Sequence, residues 1–166
     1  MKRIAIQDAN IMIDLIKTGL FDYCLALDYL FSTTNIILDE LYDIQIDVIR
    51  PHIASGKFTI IEITEDEITE IQKMSLEETR LSEQDWSAVF YAQKKQAFIL
   101  SGDRRLRQVA EAKGLTTYGI LWILDQIVLK KILIPKQACS FLKELRLKNN
   151  RLPLEECEMR ERLWCR

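Results

Sequence analysis

The sequence predicts an α/β fold in which helices cover both faces of a parallel β-sheet. Five short β-prone runs recur along the chain, and longer segments with apolar residues at helical spacing separate them. Parallel strands need long crossover connections, which are right-handed in nearly all proteins, so this alternation produces a sheet between layers of helices. The five predicted strands are residues 3–7, 35–38, 58–63, 97–101 and 115–118.

The predicted helices are marked by apolar residues three or four positions apart. One such pattern contains Leu25, Leu27, Leu30 and Phe31, and another contains Trp86, Val89, Phe90 and Ala92. After residue 118 the pattern is helical only, with helices expected near 119–131, 136–148 and 154–166.

Pro135 and Pro153 stand where proline is favoured, in the first turn of the last two predicted helices. The segment 149–151, Asn-Asn-Arg, has the composition of a linker. We therefore predict one domain over residues 1–148, followed by a linker and helical appendage over 149–166.

The composition is that of a single soluble domain. The chain has 166 residues, of which 48% are hydrophobic, so it can bury a sizeable core. Asp8 interrupts the apolar N-terminus, and Asp125 interrupts the apolar run 119–129, so neither segment resembles a secretory leader or a membrane span. We expect a cytoplasmic protein with no membrane contact.

Cysteine and histidine usage argues against several kinds of site. The four cysteines, at 24, 139, 157 and 165, lack paired C-x-x-C spacing, and we expect them to be reduced thiols rather than zinc ligands or disulfides. His52 is the only histidine, and we expect it to be an exposed helix residue. A site built on a histidine pair or a Ser-His-Asp triad is therefore disfavoured.

The formal net charge of −2 does not indicate a general nucleic-acid-binding surface. Local basic clusters could still attract a polyanion, although solvated helix faces explain them equally well. These clusters are Lys94 and Lys95; Arg104, Arg105 and Arg107; and Lys130 and Lys131.

Four acidic residues stand at the ends of predicted strands or the starts of predicted helices. Asp8 follows the first strand, Asp103 lies two residues past the fourth, and Glu40 lies two residues past the second. Asp85 opens a helix. Each has a local explanation: helix caps for Asp8 and Asp103, a first-turn acid for Glu40 and a capping box with Ser82 for Asp85.

Together the four acids predict a metal site. The carboxyl ends of parallel strands share one edge of the sheet, where open α/β folds bind their ligands. Clustered carboxylates repel one another unless a cation holds them ionised, and oxygen ligands without histidine or thiolate favour Mg²⁺ or Mn²⁺.

Four segments resemble the motifs of PIN domains, in order and in spacing. Asp8-Ala-Asn10 resembles the opening D-x-N motif, and Ile37-Leu-Asp-Glu40 the glutamate that follows a strand. The segment 81–88, LSEQDWSA, is similar to an L-S-x-x-D-x-x-A helix start, and 99–106, ILSGDRRL, to a hydrophobic-T/S-x-D-x-x-L segment. The resemblance covers roughly residues 3–125.

The resemblance implies a three-layer α/β/α fold with sheet order 3-2-1-4-5 and metal-dependent cleavage of RNA, frequently as the VapC-type toxin of a toxin–antitoxin pair. Asp8, Glu40, Asp85 and Asp103 match the family's acids. Asn10 and Ser101 match accessory positions, although helix capping and strand termination explain them as well. Arg104 or Arg105 would contact a phosphate of the RNA.

Two alternatives remain open at this stage. One is a PIN fold without turnover that serves as an RNA-binding or assembly module, and the other is a receiver-like or phosphatase-like domain. The second would need a lysine partner that Lys113 does not convincingly supply.

A surplus of apolar residues predicts a homodimer face and a groove for an antitoxin segment whose basic side chain reaches the acids. These residues are Phe21, Tyr23, Leu27, Leu30 and Phe31 near the second helix, and Met159, Leu163 and Trp164 in the last.

Overall fold

The computed structural model describes residues 1–166 as ten helices and five strands. The strands form one parallel sheet in the order β3-β2-β1-β4-β5, with helices packed around it, so the predicted fold class is confirmed. The elements are β1 Ile4–Gln7, α1 Ala9–Thr18, α2 Phe21–Leu25, β2 Leu30–Thr34, α3 Asn35–Leu38, α4 Asp43–Ala54, β3 Phe58–Ile61, α5 Glu65–Ser75, α6 Glu83–Lys95, β4 Phe98–Leu100, α7 Arg104–Ala112, β5 Thr117–Tyr118, α8 Ile120–Leu129, α9 Pro135–Lys148 and α10 Leu154–Trp164.

Helix packing places the core on both faces of the sheet. α6 packs on β1, β2 and β4 and against α5, while α1 contacts α2, α4 and α9, and α8 contacts α2 and α9. The buried apolar residues form one contiguous cluster, with Trp86 of α6 and Phe98 of β4 fully buried. Strands β2 and β3 are added on one side of β1, and β4 and β5 are added on its other side. The strand order therefore switches between β1 and β4. Open α/β folds bind ligands at such a switch point.

The predicted second strand was misplaced. Residues 35–38 form the short helix α3, and β2 lies earlier, at Leu30–Thr34. The side chain of Thr34 accepts a hydrogen bond from Ile37 N (3.1 Å) and so starts a helix where the apolar run alone favoured a strand. The helix predicted through Phe31 was also wrong, because α2 ends at Leu25 and β2 begins at Leu30. A short apolar run fits either structure by periodicity.

The strand order also decides between two of the fold families considered above. Receiver domains have the order 2-1-3-4-5, in which β3 neighbours β1. Here β1 lies between β2 and β4, so the receiver-like alternative is excluded.

The C-terminal helix α10 is joined to the preceding helices by ion pairs. Arg160 is 9% exposed and makes a two-pronged contact with Asp125 of α8, at 2.8 Å from Nε and 2.6 Å from Nη2. Arg146 of α9 donates to Glu161 at 2.7 Å. These contacts fix α10 against α8 and α9. The domain boundary at residue 148 stays a prediction.

Two of the four cysteines are oxidised, which corrects the expectation of reduced thiols. Cys139 of α9 and Cys165, which follows α10, form a disulfide, while Cys24 and Cys157 are free and buried. The pairing was not visible from spacing because 26 residues separate the partners and only the packing of α10 on α9 brings them together.

Reduction of this disulfide should lower the stability of the protein without unfolding it. A bond that closes a loop of this length typically contributes about 3 kcal/mol by restricting the unfolded chain, and the ion pairs of α10 remain after reduction. Urea unfolding with and without dithiothreitol measures the loss. Cys165→Ser should reproduce the loss and remove the response to dithiothreitol. Four titratable thiols in the untreated, unfolded protein would contradict the pairing.

His52 is half-buried rather than exposed. It lies within α4, its Nε2 is 2.7 Å from Asp22 Oδ1, and its ring packs edge-on against Phe21. The histidine therefore helps to pack α4 on α2, and it lies outside the acidic cluster.

Most of the apolar residues expected to form an interface near the second helix are internal. Phe21, Leu27 and Phe31 are buried, and Tyr23 packs edge-on against Phe141. Only Leu30 of this group is exposed. The surface predicted there is therefore absent, because the segment enters the core as α2 and β2. On α10, Trp164 is buried, whereas Met159 and Leu163 are exposed.

None of the helices is both long and apolar enough to span a membrane.

Candidate active site

The register of the sheet places Asp8 beside Ser101. Gln7 pairs with Leu100 across β1 and β4, so the next residue of each strand stands at the same carboxyl edge. Asp8 N donates to Leu100 O at 3.1 Å, which holds the two chain ends together where the strands stop. This edge is the switch point of the sheet.

Asp8 is a buried carboxylate with a strongly perturbed pKa. Its Oδ1 accepts from Ile11 N at 2.8 Å as the N-cap of α1, and its Oδ2 accepts from the hydroxyl of Ser101. Desolvation by burial raises its pKa from 3.8 to about 7, with smaller contributions from the charges of Asp85 and Asp103, against the lowering effect of the two hydrogen bonds. The site therefore disfavours an ionised Asp8 unless a cation compensates it.

Asp103 is attached to the same hydroxyl group. Its backbone N–H donates to Ser101 Oγ at 3.0 Å, and its Oδ1 caps α7 by accepting from Leu106 N at 2.8 Å. Ser101 is fully buried, donates to Asp8 and accepts from Asp103 N, so it links the two acids. Asp103 itself is exposed, and its Oδ2 makes no hydrogen bond within the protein.

Asp85 lies in the first turn of α6 and is half-buried. It forms the predicted capping box: Asp85 N donates to Ser82 Oγ at 3.1 Å, and Ser82 N donates to Asp85 Oδ2 at 3.2 Å. Burial raises its pKa, and the charge of Asp103 raises it further. Capping and membership of an acidic cluster therefore coexist in one side chain.

Glu40 completes the cluster from a turn rather than from a strand end. It follows α3, its N–H donates to Ile37 O at 3.0 Å, and its exposed carboxylate makes no hydrogen bond. Partial burial and the charge of Asp85 raise its pKa. Asp39, its neighbour in sequence, is the exposed C-cap of α3.

The acids interact electrostatically without forming a closed metal cage. Glu40 is coupled to Asp85, and Asp85 and Asp103 are coupled to Asp8. No three side chains of His, Cys, Asp or Glu stand close enough to one another to enclose a metal ion. This arrangement fits Mg²⁺ or Mn²⁺, because hard cations of this size retain several waters and often take only one or two carboxylates directly. A cation would also offset the burial and the like-charge repulsion that together raise the pKa values of Asp8, Glu40 and Asp85.

The sequence matches the family model DUF3368, described as a PIN domain, over residues 4–164. The chain belongs to the PIN-domain family. The match extends through α9 and α10, beyond the part of the sequence that carried the resemblance. PIN domains are generally nucleases.

A solved structure supports the fold. The PIN domain resembles the crystal structure of PAE2754 from Pyrobaculum aerophilum with a TM-score of 0.55 and 15% sequence identity, over 78% of this chain and 99% of that one. No curated protein matches the sequence.

The two accessory residues of the PIN domain differ in their surroundings. Ser101 lies between Asp8 and Asp103, as described above. Asn10 is exposed in the first turn of α1, its side chain makes no hydrogen bond, and Asp8 rather than Asn10 caps the helix. No hydrogen bond links Asn10 to the acids, and its accessory role stays a prediction.

Three arginines of α7 lie near the acidic edge. Arg104 and Arg105 follow Asp103, are exposed and make no salt bridge. Arg107 was not among the arginines predicted to contact RNA. Its Nε donates to Thr117 Oγ1 at 3.1 Å, which orients the guanidinium group. Its Nη1 lies 3.6 Å from the position that a Cβ on Gly119 would take, and Ser101 O lies 3.9 Å from that position. Its position four residues after Asp103, on the same helix face, was the signal that could have found it.

Proposed function

We propose that this PIN domain is a metal-dependent endoribonuclease that hydrolyses RNA with Mg²⁺ or Mn²⁺. The proposal depends mainly on one observation: a buried Asp8 at the switch point, tied to Asp103 through Ser101 and electrostatically coupled to Asp85. A protein gains nothing in stability from burying a carboxylate among like charges, so the arrangement calls for a cation. Family membership favours nuclease chemistry for that cation.

Each acid has a distinct task in the proposed site. Asp8 and Asp103 would bind the cation directly, because they follow neighbouring strands and share Ser101. Glu40 and Asp85 would complete the ligand shell directly or through water. The bound cation would supply an activated water and neutralise charge on the phosphate under attack. Ser101 would hold the Asp8 carboxylate in place by its hydrogen bond.

The arginines of α7 would position the substrate. Arg104 and Arg105 are free of ion pairs and could reach phosphates on either side of the scissile bond. Arg107 is oriented by Thr117 and would contact a phosphate nearer the acids. Single-stranded or loop RNA is the expected substrate, since a flexible strand can bring its backbone into a recessed edge.

The proposed biological role is that of a VapC-type toxin that acts in the cytoplasm with an antitoxin partner. Such a partner must bring a positive charge to the acidic site. A basic side chain of an antitoxin could occupy the place of the metal and neutralise the acids.

A homodimer is also proposed. With the predicted face near α2 buried, the exposed apolar residues of α10, Met159 and Leu163, are the remaining part of the predicted surface.

Cleavage of a defined RNA tests the proposed activity. We expect the protein to cut an RNA that contains single-stranded loops when Mn²⁺ or Mg²⁺ is present, and chelation to stop the reaction. Glu40→Gln should reduce cleavage by about 100-fold or more, the scale on which a single electrostatic group in an active site acts. Asp39→Asn, a change in the adjacent exposed acid, should leave cleavage unaltered. The reverse order of the two variants would contradict the choice of Glu40.

A second candidate function is RNA binding without cleavage. It is favoured by the same structure in one respect, namely that no three ligands converge on a point. A single experiment that measures both RNA binding and RNA cleavage distinguishes the two functions. RNA that is bound with measurable affinity, yet remains intact with either metal, would favour the silent module.

A further inference from the structure

Two buried hydroxyl groups connect the helix that precedes Glu40 with the helix that carries Asp85. Thr34 Oγ1 and Ser87 Oγ are 2.8 Å apart, and both residues are fully buried. Thr34 ends β2 and caps α3, whereas Ser87 lies in α6, two residues after Asp85. The residues are 53 positions apart in sequence, so the contact joins elements that only the fold brings together.

The direction of the hydrogen bond follows from the other partners of each hydroxyl. Ser87 Oγ donates its only proton to Gln84 O at 2.6 Å, so Thr34 must donate to Ser87. Thr34 Oγ1 in turn accepts from Ile37 N at 3.1 Å. The hydrogen bonds therefore run without interruption from the backbone of α3 to the backbone of α6, and every buried polar atom in the series is satisfied.

Thr34 is also a neighbour of Asp8 at the carboxyl edge of the sheet. Ile6 pairs with Ser32, and Thr33 Oγ1 donates to Gln7 O at 2.9 Å, so the register continues to place Thr34 opposite Asp8. Ser101, which directly follows β4, stands on the other side of Asp8. Thr34, Asp8 and Ser101 therefore lie side by side at this edge, with Asp8 between two buried hydroxyl groups.

Glu40 depends on this arrangement more than the other acids do. Its carboxylate has no hydrogen bond of its own, and its backbone is held by Ile37 O at the end of α3. α3 is only four residues long, so its direction is set by its cap at Thr34 and by Asn35 Oδ1, which accepts from Ile63 N at 3.1 Å. Such a short helix has little stability apart from these contacts.

We propose that Thr34 and Ser87 are positioning residues that set the distance between Glu40 and Asp85 at the metal site. The proposal rests on the function proposed above. Both hydroxyls are buried and would act through the backbone, Ser87 through α6, which carries Asp85, and Thr34 through α3, which Glu40 follows. Outer partners of metal ligands typically contribute 10–100-fold to metal affinity, and we expect an effect of that size.

Calorimetric titration of the full chain with Mn²⁺ tests the proposal. Ser87→Ala removes the acceptor of Thr34 but leaves the cap of α3 intact, and it should weaken Mn²⁺ binding about tenfold or more. Thr34→Val should weaken it at least as much, whereas Thr34→Ser, which keeps the hydroxyl, should bind like the wild type. Thr33→Val is the matched control. It removes a buried hydroxyl hydrogen bond from the same strand, to Gln7 O, and this bond does not connect α3 with α6.

A double-mutant cycle separates positioning from general loss of stability. If Ser87 acts through Glu40, the effects of Ser87→Ala and Glu40→Gln on Mn²⁺ affinity will not add, since both remove the same contribution. Wild-type affinity in Ser87→Ala, or an equal loss in Thr33→Val, would overturn the positioning role while leaving the metal site in place. A wild-type protein that binds no Mn²⁺ would overturn the proposed function, and this inference with it.

Discussion

Replacement of Asp8 by asparagine is expected to abolish metal-dependent RNA cleavage and, at the same time, to stabilise the metal-free protein at pH 8. Asparagine caps a helix as well as aspartate does, so the hydrogen bond from Ile11 N can remain. What is lost is the buried negative charge that the proposed cation requires. Cleavage should fall by at least about 100-fold.

The stability effect depends on pH in a definite direction. Burial raises the pKa of folded Asp8 to about 7, from 3.8 for the ordinary group. Between these two values the folded state holds the proton while the unfolded state has released it, so stability falls as pH rises through this range. Above pH 7 both states have released the proton, and the free energy of unfolding has fallen by its full amount. Each pKa unit corresponds to about 1.4 kcal/mol, which makes the loss on the order of a few kcal/mol.

Urea unfolding at pH 5 and pH 8, without metal, measures this difference. The wild type should be less stable at pH 8 than at pH 5, and Asp8→Asn should remove much of the decrease. Asp39→Asn serves as the control, because Asp39 is exposed at the end of α3 and should change neither stability nor cleavage. Undiminished cleavage by Asp8→Asn would exclude Asp8 from the reaction. An unchanged pH dependence of stability would mean that Asp8 ionises at its ordinary pKa.

Binding of Mn²⁺ or Mg²⁺ should raise the unfolding temperature by roughly 5–10 °C. A ligand present at 100 times its Kd stabilises the folded state by about 2.7 kcal/mol, and each kcal/mol is worth roughly 2–4 °C in a chain of this size. The shift should be larger at pH 8 than at pH 5, because the cation competes with the proton on Asp8. Scanning calorimetry at both pH values gives the result.

The comparison with Asp8→Asn locates the metal. That variant should show little or no shift with metal at either pH, whereas Asp39→Asn should respond like the wild type. Equal shifts in all three proteins would mean that the cation binds elsewhere on the surface. No shift in the wild type at millimolar metal would contradict a shared site for the acids.

Local signals were sufficient for the elements that hold three of the acids. The runs 3–7 and 97–101 contain the observed β1 and β4, and the capping patterns of Asp8, Asp85 and Asp103 were visible within a few residues of sequence. Parallel pairing then implies a common edge for the residues that follow β1 and β4. The sequence of this protein therefore determined its α/β class and the edge at which Asp8 and Asp103 lie.

Other features depend on residues that are distant in sequence. The apolar run 35–38 became a helix because Thr34, held by Ser87 of α6, caps it, and β2 moved to Leu30–Thr34 beside β1. The burial that raises the pKa of Asp8, the place of Arg107 beside Gly119 and the disulfide across α9 and α10 likewise appear only after packing. Capping and periodicity act over three or four residues and can be read locally, whereas desolvation and contacts between elements exist only once the tertiary structure has formed.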